Sequence, residues 1–425
     1  DNHSRPTRYR AHHQMNFLYN IGIRLYHLGA KIAATRSEKV RKMIDGQQRA
    51  IDYLRREIIP GASYIWVHAS SLGEFEQGRP LIEKIRRERH DLKILLTFFS
   101  PSGYEVRKNY GGVDAVCYLP FDTPARVREF LDVVNPAMAI FVKYEFWGNY
   151  LQQLKKRGVP TYIISSIFRP DQSFFKWWGG MFRDLLDCFT HIYVQDIESR
   201  QLLASVNVTN VTIAGDTRFD RVTDIMAGNR DIPQAEAFTR NAPLTIVAGS
   251  SWQPDEKFLL PYLNICDKIK LIIAPHEVNE EHIKAIESQC NRKVCRLSVA
   301  TPEEAATADC IIVDCYGVLS SIYRYGDIAY IGGGFGVGIH NINEAAVYGM
   351  PVIFGPKFDK FKEAKDLIAR GGAFTFSDSE QFTSLLDSLV NNSDRLRQSG
   401  EIAGSYIKEN LGATDLIFSD IFPTS

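Results

Sequence analysis

Short apolar runs alternate with stretches of helical period along most of the chain. Residues 64–69, 92–99, 115–119, 137–142, 161–165 and 191–195 are runs of strand length rich in Val, Ile and aromatics, and residues 75–89 carry apolar positions at helical spacing. The pattern weakens over 214–242, through Gly215-Asp216-Thr217-Arg218-Phe219-Asp220. It then resumes with runs at 244–248, 269–274, 310–314, 328–331 and 352–354, before a long helical stretch over 378–411. Alternation of this kind predicts parallel sheets with helices on both faces, a fold that binds ligands at the carboxyl ends of its strands. Two such series predict an α/β protein of two facing Rossmann-like domains with a cleft between them. The domains are placed at 47–225 and 226–405, and a final helix over 406–425 is expected to pack back on the first domain.

Ahead of the first strand, Phe17, Ile21, Leu25, Leu28 and Ile32 recur at helical spacing among Arg24, Lys31, Arg36, Lys39, Arg41 and Lys42. No run of about 18 apolar residues is present, which argues against a spanning helix. Residues 15–46 therefore read either as an amphipathic basic helix lying in a membrane interface or as a helix packed on the domain body. Residues 1–14, polar and rich in His and Arg ahead of Met15, read as an appended leader outside the fold.

A chain of 425 residues suits two domains better than one core, and 45% hydrophobic with 24% charged residues is the balance of a folded body. Fifty basic residues offset fifty acidic ones, which gives no support to nucleic-acid binding. Seven cysteines, an odd number, do not form a disulfide framework in a chain this long and read as reduced, buried thiols.

Candidate chemistry gathers where strands end. After the run at 328–331, glycines at 332, 333, 334, 336 and 338 precede Asn341 and a helical pattern that closes near Gly349. Glycines permit close approach of a ligand, and the amides of a helix start favour anions and hydroxyls. The spacing is not G-x-G-x-x-G, because no glycine here has partners both two and five residues on, so a dinucleotide site is not expected. Asn341 and Glu344 have the spacing of a cap and its third residue; a carboxylate there also suits a ribose. Gly249-Ser250-Ser251, with Asp255 and Glu256 following, fits either a phosphate-holding helix start or an ordinary serine cap. Pro275-His276 and Gly317-Val318-Leu319 fall at equivalent strand ends.

In the first series, Ser71-Leu72-Gly73-Glu74 fits a capping box. A carboxylate at such a strand exit is also a candidate proton acceptor. A helix N-terminus stabilises the carboxylate and weakens it as a base, so burial would have to offset that. Glu145, in Lys143-Tyr144-Glu145-Phe146-Trp147-Gly148-Asn149, follows another strand and is either a reacting group or a loop carboxylate beside a packed Trp147.

His68-Ala69-Ser70-Ser71-Leu72-Gly73-Glu74 and the run Asn341-Ile342-Asn343-Glu344-Ala345-Ala346 before Gly349-Met350-Pro351-Val352-Ile353-Phe354-Gly355-Pro356 resemble the signatures of the 3-deoxy-D-manno-octulosonic acid (Kdo) transferases. These are lipid A-specific glycosyltransferases of GT-B architecture. The resemblance covers nearly the whole chain from about Met15. It implies inverting transfer of Kdo from CMP-Kdo to the 6′-hydroxyl of a lipid A precursor, lipid IVA, in lipopolysaccharide biosynthesis at the cytoplasmic face of the bacterial inner membrane. It makes Glu74 the base, puts Glu145 near the acceptor or transition state, and assigns CMP to Ser250, Ser251, Pro275, His276, Gly317, Val318, Leu319, Asn341 and Glu344. His276 stands where the family commonly has Arg, Gly317-Val318-Leu319 replaces a more polar version, and Arg218 replaces a Lys that would face the phosphate or the Kdo carboxylate. No D-x-D pair sits at a strand end and no His/Cys cluster has ligand spacing, so no metal or other cofactor is expected. Competing readings are a GT-B transferase using a UDP-sugar and a catalytically silent nucleotide-binding or membrane-tethering protein of the same fold.

Overall fold

The computed structural model describes residues 5–423, with side chains for residue 17 and from residue 19 onward. The leader expected over 1–14 lies outside the described side chains. Contacts divide the chain into two compact units, one running to Asp220 and resuming at Gly412, the other spanning Arg221–Leu411.

In the first unit all seven strands are parallel: β1 (Tyr64–Ala69), β2 (Lys93–Phe98), β3 (Ala115–Tyr118), β4 (Met138–Val142), β5 (Thr161–Ser166), β6 (His191–Val194) and β7 (Val211–Ile213). Their order is β3-β2-β1-β4-β5-β6-β7, the Rossmann order, in which the chain reverses direction across the sheet between β1 and β4. Every residue of β1 is buried, which is why its sequence is a continuous apolar run rather than an alternation. Trp66 on β1 packs against Phe130, Phe141 and Tyr150, with ring centroids 4.8–5.3 Å apart, and centres the core on one face of the sheet.

Two helices precede β1. In α2 (Glu38–Glu57), Met43, Ile44, Gln47, Ala50, Ile51 and Leu54 form the buried stripe. α1 (Arg5–Ala34) packs on the body of the first unit. One side is fastened to the first unit: Tyr19 donates to Asp122 (2.5 Å) and accepts from the Gly148 amide (2.9 Å), Asn149 donates to Asn20 (2.9 Å), and His27 stacks on Phe121. The other side leaves Phe17, Ile21, Leu25, Leu28 and Ile32 exposed. Among the described residues no helix is long and apolar enough to cross a membrane. The chain's last helix, Ala413–Ile421, buries Ile417, Phe418 and Ile421 against the same core as Ile82 and Ile85, and its start is tied by the Asp220 carboxylate, which accepts from the amides of Gly412 and Thr414 (2.6 and 2.7 Å).

The second unit repeats the design with β8 (Thr245–Ser251), β9 (Lys270–Pro275), β10 (Val294–Arg296), β11 (Cys310–Ile312), β12 (Ile328–Ile331), β13 (Val352–Phe354) and β14 (Ala373–Thr375), again all parallel. The order is β10-β11-β9-β8-β12-β13-β14, so the reversal lies between β8 and β12. Two expectations are corrected here. The helix expected from Asn341 to near Gly349 is a single turn, Asn343–Ala346, and the stretch 378–411 is two helices, Ser379–Val390 and Ser393–Glu409. All seven cysteines are free; three are buried and four half-buried.

Candidate active site

In the first unit the chain leaves β1 through Ser70 and Ser71 into α3 (Leu72–Glu88), and leaves β4 through Lys143–Trp147 into the helix Gly148–Lys156. These are the two strands flanking the reversal point, where an open parallel sheet leaves a crevice at its carboxyl edge. Glu74 and Glu145 stand on these exits. The capping box does not form: Ser71 sits at the cap position without a side-chain bond, while Glu74 reaches back one residue further and accepts from the Ser70 amide (2.6 Å). Burial, then the charge of Glu145, push the Glu74 carboxyl up to about 7, against the Ser70 and Ser71 amides and Lys143, which favour its anion. Burial thus outweighs the helix start, and Glu74 titrates where a general base works best.

Glu145 is only 7% exposed. Its Oε2 accepts from Trp147 Nε1 (2.6 Å) and lies 3.0 Å from Nε2 of the buried His68. Lys143, at φ +66°, is pushed below its ordinary range by burial and by Arg218, and it also feels Glu74 and Asp216. Arg218 itself belongs to this cluster, its guanidinium held by Asp216 at 2.6 and 2.9 Å.

In the second unit the predicted nucleotide residues lie at the carboxyl ends of β8, β9, β11 and β12 or just beyond the glycine loop. Gly332 lies so close to Ser250 that a Cβ there would run into the Ser250 carbonyl; only glycine lets these neighbouring strand exits meet. Asp255 ties the same region together, accepting from Tyr330 Oη (2.7 Å), the Trp252 amide (2.9 Å) and the Gly333 amide (3.1 Å). The helix after β8 begins at Gln253 with Trp252 at its cap, not a serine. Ser251 is fully buried and donates to Glu256 (3.0 Å), which His282 also contacts at 2.8 Å, so its hydroxyl faces the interior; Ser250, at φ +53°, stays half-exposed.

His276, past the end of β9, is exposed and stacks between Trp252 and His340 at 4.5 and 4.6 Å. Gly317 (φ +82°) is exposed, and Val318 and Leu319 open the short helix Leu319–Ile322. Asn341 donates to Glu344 (3.1 Å) and accepts from the Asn343 amide (3.0 Å), while burial pushes the Glu344 carboxyl above its ordinary range, against Asn341 and Arg221. Among the described residues no group of three or more His, Cys, Asp or Glu side chains is placed to hold a metal ion.

Residues 33–221 match the sequence profile of the 3-deoxy-D-manno-octulosonic-acid transferases (kdotransferases). The 3-deoxy-D-manno-octulosonic acid transferase of Aquifex aeolicus is 27% identical over 356 residues, covering 81% of this chain and 92% of the relative. That of Bordetella pertussis is 26% identical over 371 residues, covering 84% and 86%. Over four fifths of its length the chain is thus similar to Kdo transferases. These matches support a transferase of that kind. Solved structures share the fold: UDP-GlcNAc 2-epimerase from Neisseria meningitidis (TM-score 0.56, 12% identity, 85% of this chain and all of that one) and MurG from Acinetobacter baumannii (TM-score 0.52, 13%, 85% and all). The expected α/β, GT-B class is the one present.

Within the chain two groups of residues assemble. Glu74, Glu145 and Arg218 share the first unit with Lys143, and Pro275, His276, Gly317, Val318, Leu319, Asn341 and Glu344 share the strand ends of the second. Sequence reasoning did not single out Trp252 and His340, which frame His276, or Lys143, whose place immediately after a strand was the available signal. Nor did it single out Asn343, whose buried side-chain oxygen has no hydrogen-bond partner among the described residues.

Proposed function

We propose that this protein is a Kdo transferase that takes Kdo from CMP-Kdo and places it, with inversion, on the 6′-hydroxyl of a lipid A precursor at the cytoplasmic face of the inner membrane. Glu74 accepts the hydroxyl proton as the hydroxyl oxygen attacks the anomeric carbon. CMP departs held by Ser250, Pro275, His276, the backbone of Gly317-Val318-Leu319, Asn341 and Glu344. Lys143 and Arg218 supply positive charge for the Kdo carboxylate or the departing phosphate. The observation that carries this reading is a carboxyl at a strand's end pushed up to about 7 by burial and a neighbouring carboxylate.

Two surfaces support a membrane-borne acceptor. The outward stripe of α1 is one. The other is Trp177 (92% exposed) and Trp178, on the loop that follows β5 at the same carboxyl edge as Glu74; Phe174 and Phe182 brace it from below. Paired tryptophans beside basic residues suit the bilayer interface.

Incubation with CMP-Kdo and lipid IVA followed by mass measurement of the lipid tests the proposal. A lipid gaining one or more Kdo masses agrees with it. No gain, or stronger protection against heat by UDP than by CMP, would overturn the donor assignment.

A further inference from the structure

One buried chain of polar groups takes no part in the chemistry so far. β1 and β2 pair in parallel with His68 opposite Thr97. Trp66 Nε1 donates to Thr97 Oγ1 at 2.8 Å, and His68 Nδ1 lies 2.8 Å from the same oxygen. On its other side His68 Nε2 lies 3.0 Å from Glu145 Oε2. Trp66, His68 and Thr97 are all fully buried. An indole N–H only donates, so the Thr97 hydroxyl accepts from Trp66, and its own hydrogen has His68 Nδ1 as its one acceptor among the described residues. That fixes the histidine as the Nε2–H tautomer and aims the N–H at Glu145. Donation runs from Trp66 to Thr97 to His68 to Glu145, with Trp147 adding a second donor at the same oxygen.

Two neighbouring carboxylates do not both stay charged without cost; the pair takes one proton first, on whichever charge is held less firmly. We propose that His68 is a positioning residue: through the tautomer Thr97 imposes, it holds the charge on Glu145 and so directs the pair's proton to Glu74. This rests on Glu74 being the base. The other groups facing the pair are Lys143 and Tyr144 from the loop after β4 and the Ser70 and Ser71 amides at the start of α3; around Lys143 lie Arg169, Asp216 and Arg218.

The test is the pH dependence of kcat/KM for Kdo transfer by the full chain. The wild-type rate should rise with pH through about 7. In His68→Leu the proton passes to Glu145, so this limb moves to lower pH by about one pH unit, and Thr97→Val moves it the same way by less. His68→Gln, whose terminal amide can still donate to Glu145, should return it towards the wild-type position. A merely structural role would scale the profile without moving it, and a folded His68→Leu with the limb in place overturns the proposal. Should the variants not fold, 15N spectra of histidine-labelled wild type decide: the Nε2–H tautomer at His68 supports the relay and Nδ1–H overturns it. If Glu74→Gln keeps the wild-type profile, the base reading falls and the relay with it. If Glu74→Gln loses transfer while His68→Leu keeps the limb, only the relay falls.

Discussion

Replacing Glu145 by Gln tests the electrostatics of the site most cleanly. The amide keeps the shape, and its oxygen can still accept from His68 and Trp147, whose donor atoms lie 3.0 and 2.6 Å from Oε2, so the loop keeps both anchors. What disappears is a negative charge beside Glu74. The Glu74 carboxyl stands at about 7 rather than 4.5, with burial the larger cause and Glu145 the second. Removing the second cause alone should lower it by about one pH unit. Activity depends on the ionised form, so it rises with pH through this value, and the variant's acid limb should centre near pH 6. Relative to wild type, the variant should then recover about fivefold between pH 8 and pH 6, the ratio of ionised fractions for a base shifted by that amount. Its plateau should be lower, because a weaker base accepts the proton less readily. The assay is kcat/KM for Kdo transfer from pH 5.5 to pH 8.5 in buffers of constant ionic strength. A limb that stays at the wild-type position, in a variant of unchanged thermal stability, would refute the coupling of the two carboxylates.

Three further outcomes are expected. Tyr19→Phe removes the hydroxyl that joins Asp122 to the Gly148 amide, and should cost about 1–3 kcal/mol in denaturant unfolding and speed hydrogen exchange over residues 17–32; unchanged exchange would count against that anchorage. Trp177→Ala with Trp178→Ala should reduce co-sedimentation with anionic lipid vesicles while leaving Tm in place, since Trp177 is almost wholly exposed; equal binding would exclude the loop from the membrane contact. Gly332→Ala sets a methyl group against the Ser250 carbonyl, a backbone atom that cannot swing aside, and should cost about 1–3 kcal/mol of stability and weaken CMP binding in titration calorimetry.

The central strands were legible because parallel strands buried on both faces are written as unbroken apolar runs. Tyr64–Ala69, Ile328–Ile331 and Val352–Phe354 begin and end where the residue pattern puts them. Three of the four edge strands were not. Val211–Ile213 and Val294–Arg296 are three residues each and only half-buried throughout, and Ala373–Thr375 buries one residue of three, so none carries a run that stands out from loop. The turn after Asn341 was read as a full helix because Ala345, Ala346 and Val347 continue a helical period, but Gly349 at φ +73° and Pro351 end it after four residues. Within the candidate site, Glu74 and Glu145 were visible from where they fall after strands. The bond from Glu74 to Ser70 was not, because Ser70-Ser71-Leu72-Gly73-Glu74 offers the carboxylate an amide either three or four residues back. The polar chain from Trp66 through Thr97 and His68 joins residues 31 positions apart in sequence, and only the pairing of β1 with β2 reveals it. Likewise the sandwich of His276 between Trp252 and His340 draws on three separate strand ends.

The central claim is that one carboxyl, at position 74, removes the acceptor proton. The measurement that reaches it most directly is the rate of Kdo transfer to lipid IVA by Glu74→Gln at pH 8, with CMP affinity determined on the same preparation. The account predicts transfer reduced by about 10²–10⁴-fold with CMP affinity unchanged. Transfer at the wild-type rate by a protein that still binds CMP would contradict it.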